Sequence, residues 1–199
     1  EDLETYFSGF IPRRDRLLLD LEREAESEGI PIVGPVVGTL LGLLCRVTGA
    51  RRILELGTAA GYSAIFLARG AETTGGSVVT VEVDETMAAR ARRNAERAGL
   101  ASRIDVRLGK ADDILSTLEG PIDLVFLDHD KEGYAPALRS CSRLVRTGGL
   151  LVADNTGFAA AAGFNEALFA DPAWEAVHLL CHLPMHSPAR DGLSLAVRV

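Results

Sequence analysis

From Arg52 to Ala153 the chain alternates short apolar runs with helical stretches, and no other feature narrows its fold as much. Arg52–Leu56, Ser77–Val83, Arg103–Leu108, Ile122–Leu127 and Leu150–Ala153 read as strands. Gly61–Arg69, Glu85–Ala98, Asp112–Leu118 and Tyr134–Val145 read as helices; Gly99 ends one, and Gly148 with Gly149 closes another. The run IDLVFL (122–127) is almost unbroken apolar sequence, as expected for the middle of a parallel sheet covered on both faces. Repeated strand–helix units of this kind predict such a sheet with helices on either side.

Two helices are expected before the alternation. Pro12–Glu28 is amphipathic, with Leu17, Leu18 and Leu21 on one side, and Pro35–Val47 is more apolar, with Pro35 at its start and Gly49 past its end. After the alternation, Phe164–Phe169 looks helical. Ala173–Leu183 and Leu193–Val199 look like strands joined by the loop Pro184–Gly192, an antiparallel hairpin because no helix separates them. The expected class is α/β: three layers, a mostly parallel seven-stranded sheet and a C-terminal antiparallel hairpin. With 199 residues, 47% hydrophobic and 25% charged, a single domain over 1–199 is expected, with N-terminal helices over 1–48 and the core over 49–199.

Composition removes several classes of function. A net charge of −7 argues against a broad basic surface for nucleic acid. Cys45, Cys141 and Cys181 are odd in number and far apart, with no CxxC pair, so neither a disulfide framework nor a zinc site is expected; a reducing compartment, the cytoplasm, fits. Cys141, Cys181 and Trp174 read as core. The longest apolar stretch, Ile32–Leu44, is interrupted by Gly34, Pro35, Gly38 and Gly42 and falls short of the ~20 residues that span a bilayer. The first residues carry no signal-peptide pattern.

Chemistry-bearing residues fall at the C-terminal ends of the strands, the edge where open α/β sheets bind ligands. Glu55-Leu-Gly57-Thr-Ala-Ala-Gly61 ends the first strand. Its glycines permit close backbone approach, and a helix N-terminus follows. Glu55 stands where a dinucleotide fingerprint has its first glycine. A carboxylate there repels a pyrophosphate and suits a cationic amino group, which points to S-adenosylmethionine (SAM). Glu82, ending the second strand, is placed to accept hydrogen bonds from ribose hydroxyls; Asp84 reads as a helix cap. Asp128-His129-Asp130-Lys131 follows IDLVFL, and Asp154-Asn155 follows LLVA. Asp128, Asp154 and Asn155 make an all-oxygen donor set suited to Mg²⁺, Mn²⁺ or Ca²⁺. His178, His182 and His186 are four apart, but Pro184 breaks any helix between them, so no metal site is expected there.

The motifs ILELGTAAGYSA (53–64), VTVEVD (79–84), ERAGL (96–100), LVFLDHDKEGY (124–134), GGLLVADN (148–155) and DGLSLAVR (191–198) occur in this order. The chain thereby resembles the cation-dependent O-methyltransferases, the catechol and caffeoyl-coenzyme A O-methyltransferase-like branch of the Rossmann-like, SAM-dependent methyltransferases, over roughly residues 30 to 199. The resemblance implies that Asp128, Asp154 and Asn155 hold the cation and that Lys131 is the general base or steadies the deprotonated oxygen. It places Glu55, Gly57, Thr58 and Ser63 around the methionine part of SAM, Glu82 at the ribose and Ala111 at the adenine. Val33 contacts the cofactor through its backbone, and His129 lies near cofactor and substrate. It implies a small catechol-like or hydroxylated aromatic acceptor and a homodimer, the latter also suggested by the apolar Ile32–Leu44 stretch.

The chain departs from the family pattern in two places. The glycine loop reads T-A-A-G, without a larger central residue, which bears on how the cofactor packs; and only Thr156–Gly163, mostly Ala and Gly, separates Asn155 from the next helix, so the acceptor pocket is expected to be open or completed by a partner subunit. Two other readings stand beside a small-molecule enzyme. One is a tRNA hydroxyuridine O-methyltransferase, for which Arg13, Arg14, Arg16 and Arg90, Arg92, Arg93, Arg97 would form basic patches, although solvated helix faces are favoured. The other is a cofactor-binding module without turnover, against which Lys131 and the donor set argue.

Overall fold

A computed structural model describes residues 2–199. Five strands are parallel: β1 (Arg52–Leu56), β2 (Ser77–Glu82), β3 (Ile104–Leu108), β4 (Ile122–Leu127) and β5 (Val145–Ala153). The hairpin of β6 (Trp174–His182) and β7 (Arg190–Arg198) adds two antiparallel strands, giving the order β3-β2-β1-β4-β5-β7-β6.

Alternation within each strand makes two apolar faces. Ile53, Val78, Leu124, Phe126 and Val152 face one way. There they meet α2 (Arg16–Glu28), α3 (Gly34–Thr48), α4 (Tyr62–Gly70) and α5 (Glu85–Arg97). Leu54, Leu56, Val125, Leu127 and Leu151 face the other way, against α6 (Ala111–Thr117), α7 (Tyr134–Leu144) and α8 (Ala162–Ala170). Leu41, Ile65, Leu115 and Leu124 are fully buried; each such side chain contributes about 1.5–3 kcal/mol relative to exposure. The expected Rossmann-like three-layer class is therefore what forms, with helices on both faces of a mostly parallel sheet.

The differences from expectation have local causes. The first predicted helix starts at Arg16, not Pro12, because Asp15 adopts an extended conformation and caps it, accepting from Leu18 N at 3.0 Å. A short helix α1 (Leu3–Ser8), not anticipated, precedes it, capped by Asp2. β5 begins at Val145 rather than Leu150, because Val145 pairs with Ile122 before a register shift that Gly148 and Gly149 accommodate. Cys45 and Cys141 are core residues, whereas Cys181, on the edge strand β6, is only half-buried. Trp174 is packed, as expected, with Nε1 donating to Ser142 Oγ at 2.9 Å. The Ile32–Leu44 stretch that suggested a dimer is largely interior: Val37, Gly38, Leu41 and Gly42 pack within the protomer.

Candidate active site

β1, β4 and β5 end level. Leu56 lies opposite Leu127, and Leu127 opposite Ala153. The next residues, Gly57, Asp128 and Asp154, are consequently neighbours in a row. Asp128 N donates to Leu56 O at 2.8 Å, and Asp154 N donates to Leu127 O at 3.0 Å. The strand order reverses between β1 and β4, and a cavity of about 610 Å³ opens at that reversal. Gly57 is required there: its φ is +98°, and a Cβ would sit 2.5 Å from the carbonyl carbon of Asp128.

The structure brings nearly all the residues implicated by the sequence to this cavity. Val33, Thr58, Ser63, Glu82, Ala111 and His129 all line it. Glu82 organises the glycine loop: Oε2 accepts from Ala59 N at 2.7 Å, and Oε1 accepts from Val83 N and Asp84 N, each at 2.9 Å. Asn94 of α5 holds the same loop by donating to Ala60 O at 2.9 Å. Asp84 caps α5, accepting from Met87 N.

Glu55 is placed differently from the other residues of the set. It is wholly buried and lies beneath the cavity rather than on its wall. Thr80 Oγ1 donates to its Oε2 at 2.5 Å and lies 2.6 Å from Thr58 Oγ1, so a hydroxyl chain connects Glu55 to the lining. Burial pushes the Glu55 carboxyl up to about 8, against the lowering effect of hydrogen bonds from Ser63 and Thr80. Its Oε1 has no partner.

Around Asp128 the charges are closely arranged. Lys131 Nζ donates to Asp128 Oδ1 at 2.9 Å and to Tyr134 Oη at 2.9 Å. Tyr134 Oη also lies 2.9 Å from Leu127 O and 3.0 Å from Asp154 O, so this buried phenol ties the ends of β4 and β5 to the lysine. Burial, and secondarily the Asp154 charge, raises the Asp128 pKa, while Lys131 opposes the shift. Burial, followed by the Lys131 charge, lowers the His129 pKa, and neither ring nitrogen has a partner.

Asp154, 1% exposed, keeps Oδ1 unpartnered. Its Oδ2 lies 2.7 Å from His186 Nε2, and His186 Nδ1 lies 2.8 Å from Pro188 O. A carboxylate and a carbonyl are both acceptors, so these contacts need hydrogen on both ring nitrogens, the imidazolium form. Burial lowers the His186 pKa, but the bond to Asp154 and its charge outweigh burial and raise it overall. Helical spacing among the three histidines gives no hint of this contact. They lie on β6 and the loop after it, and the hairpin carries His186 to the end of β5. His178 instead bonds Ser194, and His182 bonds Ser8.

The donor set suits a hard cation. Asp128 and Asp154 are adjacent carboxylates, the buried Asp154 Oδ1 is orphaned, and Asn155 adds an amide beside them. Among the described residues no group of three or more His, Cys, Asp or Glu side chains is arranged to hold a metal ion. The set here is two carboxylates and one amide.

A second cavity, of about 790 Å³, lies between α2 and the segment Met185–Ser187 and shares Pro31, Ile32, His186 and Ser187 with the first. The non-glycine residues with positive φ, Ala59 (44°), Asn155 (52°) and Met185 (64°), all line one cavity or the other. Away from the cavities, five of the seven arginines considered for nucleic acid are engaged by the protein, while Arg13 and Arg93 are exposed. Arg90 pairs with Glu24 and Glu28, Arg97 with Glu24, Arg14 with Glu22 and Arg16 with Asp20, and Arg92 donates to Val106 O. Among the described residues no helix is long and apolar enough to cross a membrane.

Comparison with known proteins agrees with this geometry. A family model described as O-methyltransferase matches residues 15–168. A catechol O-methyltransferase of Niastella koreensis is 42% identical over 161 residues, covering 78% of this chain and 72% of the relative. The crystal structure of an O-methyltransferase from Bacillus cereus in complex with SAH superposes with a TM-score of 0.88 at 33% identity, covering 99% of this chain and 97% of that one. That of a Streptomyces achromogenes O-methyltransferase involved in tomaymycin synthesis, in complex with SAM, gives 0.87 at 30% identity, covering 99% and 96%. Matched along most of its length by this family model, the chain belongs to the O-methyltransferase family.

Proposed function

We propose that this SAM-dependent O-methyltransferase methylates a hydroxyl of a small catechol-like or hydroxylated aromatic acceptor and does so with a divalent cation. The observation that carries the reading is the row Gly57, Asp128, Asp154 at level strand ends, with Asp154 Oδ1 unpartnered and Lys131 Nζ 2.9 Å from Asp128 Oδ1. Asp128, Asp154 and Asn155 would hold the cation, which would supply positive charge to stabilise and orient the deprotonated oxygen of a vicinal diol. The name of the Niastella koreensis relative supports a catechol-type acceptor.

Methyl transfer from a sulfonium is an in-line displacement: the oxygen–carbon bond forms as the carbon–sulfur bond breaks, and the electron pair leaves on sulfur. Alignment of the two reactants therefore supplies much of the rate. The residues about the glycine loop fix the donor: Gly57, Thr58 and Ser63, over the buried Glu55, hold the methionine part, and Glu82 takes the ribose. Val33, Ala111 and His129 complete the cofactor's surroundings. Lys131 Nζ, anchored by Asp128 and Tyr134, takes the acceptor proton or steadies the oxygen that has lost it. The second cavity gives the remainder of the acceptor room beside Pro31 and His186. The pairing of Arg14, Arg16, Arg90 and Arg97 with carboxylates disfavours RNA as acceptor, and the free thiols fit the cytoplasm.

The test is to incubate the protein with SAM and catechol, with Mg²⁺ or with EDTA, and to quantify methylated catechol and SAH by mass spectrometry. Product with Mg²⁺ and none with EDTA is expected. Equal turnover in EDTA overturns the cation, and no turnover across a panel of hydroxylated aromatics overturns the acceptor class.

A further inference from the structure

A hard cation binds the oxygen of a side-chain amide and not its nitrogen, whose lone pair is delocalised and which carries two hydrogens. An asparagine in a cation site therefore works in only one of its two amide orientations. We propose that Asp191 is a positioning residue that sets this orientation at Asn155 and so decides whether the cation site forms. The inference rests on the cation reading above.

Asn155 follows β5 with φ 52°, a conformation that Asn tolerates better than most residues, and is 8% exposed. Its Nδ2 lies 2.6 Å from Asp191 Oδ2 and 3.4 Å from Ser187 O. Both partners are acceptors, so the NH₂ end faces the hairpin, and Oδ1 is the end left to the cavity that Asn155 lines. Asp191, itself buried, cannot easily turn. Its Oδ1 accepts from Gly157 N at 3.1 Å and from Gly192 N at 2.6 Å. The backbone on either side is locked as well. Thr156 N donates to Gly192 O at 2.9 Å, and a Cβ on Gly192 would meet Gly157 N at 2.6 Å. The antiparallel pairing of β7 with β5 thus delivers a carboxylate to the far side of Asn155, in the motif DGLSLAVR.

Replacing Asp191 by Asn reverses the pattern without changing its size. The two backbone N–H groups of Gly157 and Gly192 keep the new amide's oxygen where Oδ1 was, so its NH₂ turns towards Asn155. Asn155 then answers with its oxygen and leaves nitrogen facing the cavity. Exchanging both residues restores the site, because a carboxylate at 155 accepts from that NH₂ with one oxygen and offers the other to the cation.

The experiment titrates the full chain with Mn²⁺ and follows free Mn²⁺ by electron paramagnetic resonance, with no acceptor present; SAH affinity and melting temperature are measured on the same samples. Asp191→Asn is expected to raise the Mn²⁺ Kd about 10–100-fold, as for other residues that orient metal ligands. SAH affinity should stay within about twofold. The double variant Asp191→Asn/Asn155→Asp is expected to recover Mn²⁺ binding to within a few-fold of the original chain. Unchanged Mn²⁺ affinity in Asp191→Asn overturns the proposal, and so does failure of the exchange to recover it. A parallel loss of SAH affinity and melting temperature also overturns it, by assigning Asp191 to folding. Where the unaltered chain binds Mn²⁺ and the variants do not differ, the cation reading survives and only this inference falls. Absence of Mn²⁺ binding in the unaltered chain removes both.

Discussion

Replacing Tyr134 by Phe isolates one oxygen atom on which fold and site both depend. The side chain is fully buried, and its ring packs edge-on against Phe164 at 5.3 Å, a contact that Phe preserves. What disappears is the hydroxyl, which accepts from Lys131 Nζ at 2.9 Å and shares its single hydrogen between Leu127 O and Asp154 O. A hydrogen bond to a charged group contributes about 1.5–3 kcal/mol, and a neutral one about 1 kcal/mol. Sparing the desolvation of one hydroxyl offsets part of this, so a destabilisation of about 2–3 kcal/mol is expected. In a chain of this length that lowers the melting temperature by roughly 4–12 °C. Urea denaturation should show a lower midpoint at unchanged m, since the surface exposed on unfolding is the same. The variant should also turn over more slowly, because Lys131 keeps Asp128 as an anchor but loses the second. A loss below about 0.5 kcal/mol would mean that water replaces the hydroxyl at no cost, and the account of Tyr134 as the tie between β4, β5 and Lys131 would be refuted.

Three further expectations use other parts of the site. Gly57→Ala places a Cβ 2.5 Å from the Asp128 carbonyl carbon at φ +98°, so it should cost more than about 3 kcal/mol in denaturation and abolish SAH binding measured by calorimetry; near-normal stability would contradict the close approach of the two strand ends. Lys131→Ala should lower kcat about 10²–10⁴-fold while leaving SAH affinity intact, and a kcat within about threefold of the unaltered chain would remove Lys131 from the proton step. Glu55, with its pKa raised to about 8 from an unfolded value of 4.5, holds its proton in the folded state over a range where the unfolded chain has lost it. Its contribution to stability is therefore full below about pH 4.5, declines by about 1.4 kcal/mol per pH unit at most between those values, and is gone above about pH 8. Glu55→Gln should gain stability relative to the unaltered chain as pH rises from 5 to 8 in paired melting curves; a pH-independent difference would show that Glu55 is ionised throughout.

The elements legible in the sequence were those whose signal is local. IDLVFL gives β4 with both ends correct, because an apolar run between Pro121 and Asp128 has little freedom to slide. Asp84 reads as a cap because the cap is a contact three residues away. α2 starts at Arg16 although Pro12 is a permissible first helical residue, because Asp15 supplies the stronger stop through its own side chain. β5 was shortened because Gly148 and Gly149 read as a turn, and only pairing with β4 across a register shift keeps the backbone extended there. The site followed the same division. Strand-end residues were found from the alternation alone. His186 and Asp191 were not assigned roles, because they reach β5 through an antiparallel pairing between segments over 30 residues apart.

The placement of unsatisfied groups follows from that topology. Of the six buried side-chain polar atoms without partners among the described residues, Glu55 Oε1, Asp154 Oδ1 and both His129 ring nitrogens lie at or directly beneath the first cavity. A buried polar atom without a partner costs about 1–3 kcal/mol, and concentration of such atoms at one place needs a reason. The reason is geometric. In the central strands β1 and β4 most backbone groups are paired by a neighbour and the apolar side chains are covered by helices, so few polar groups stand there. Past Leu56, Leu127 and Ala153 the ladder stops, and the helices that follow β1 and β4, α4 and α7, pack on opposite faces. Side chains there are held by the rigid strands behind them but meet no helix in front. Carboxylates fixed in that position repel one another, which Lys131 and His186 only partly relieve. A cation and a sulfonium cofactor would bring positive charge to the place where the fold has collected acceptors it cannot satisfy, and the sheet's rigidity keeps those acceptors from relaxing into contacts of their own.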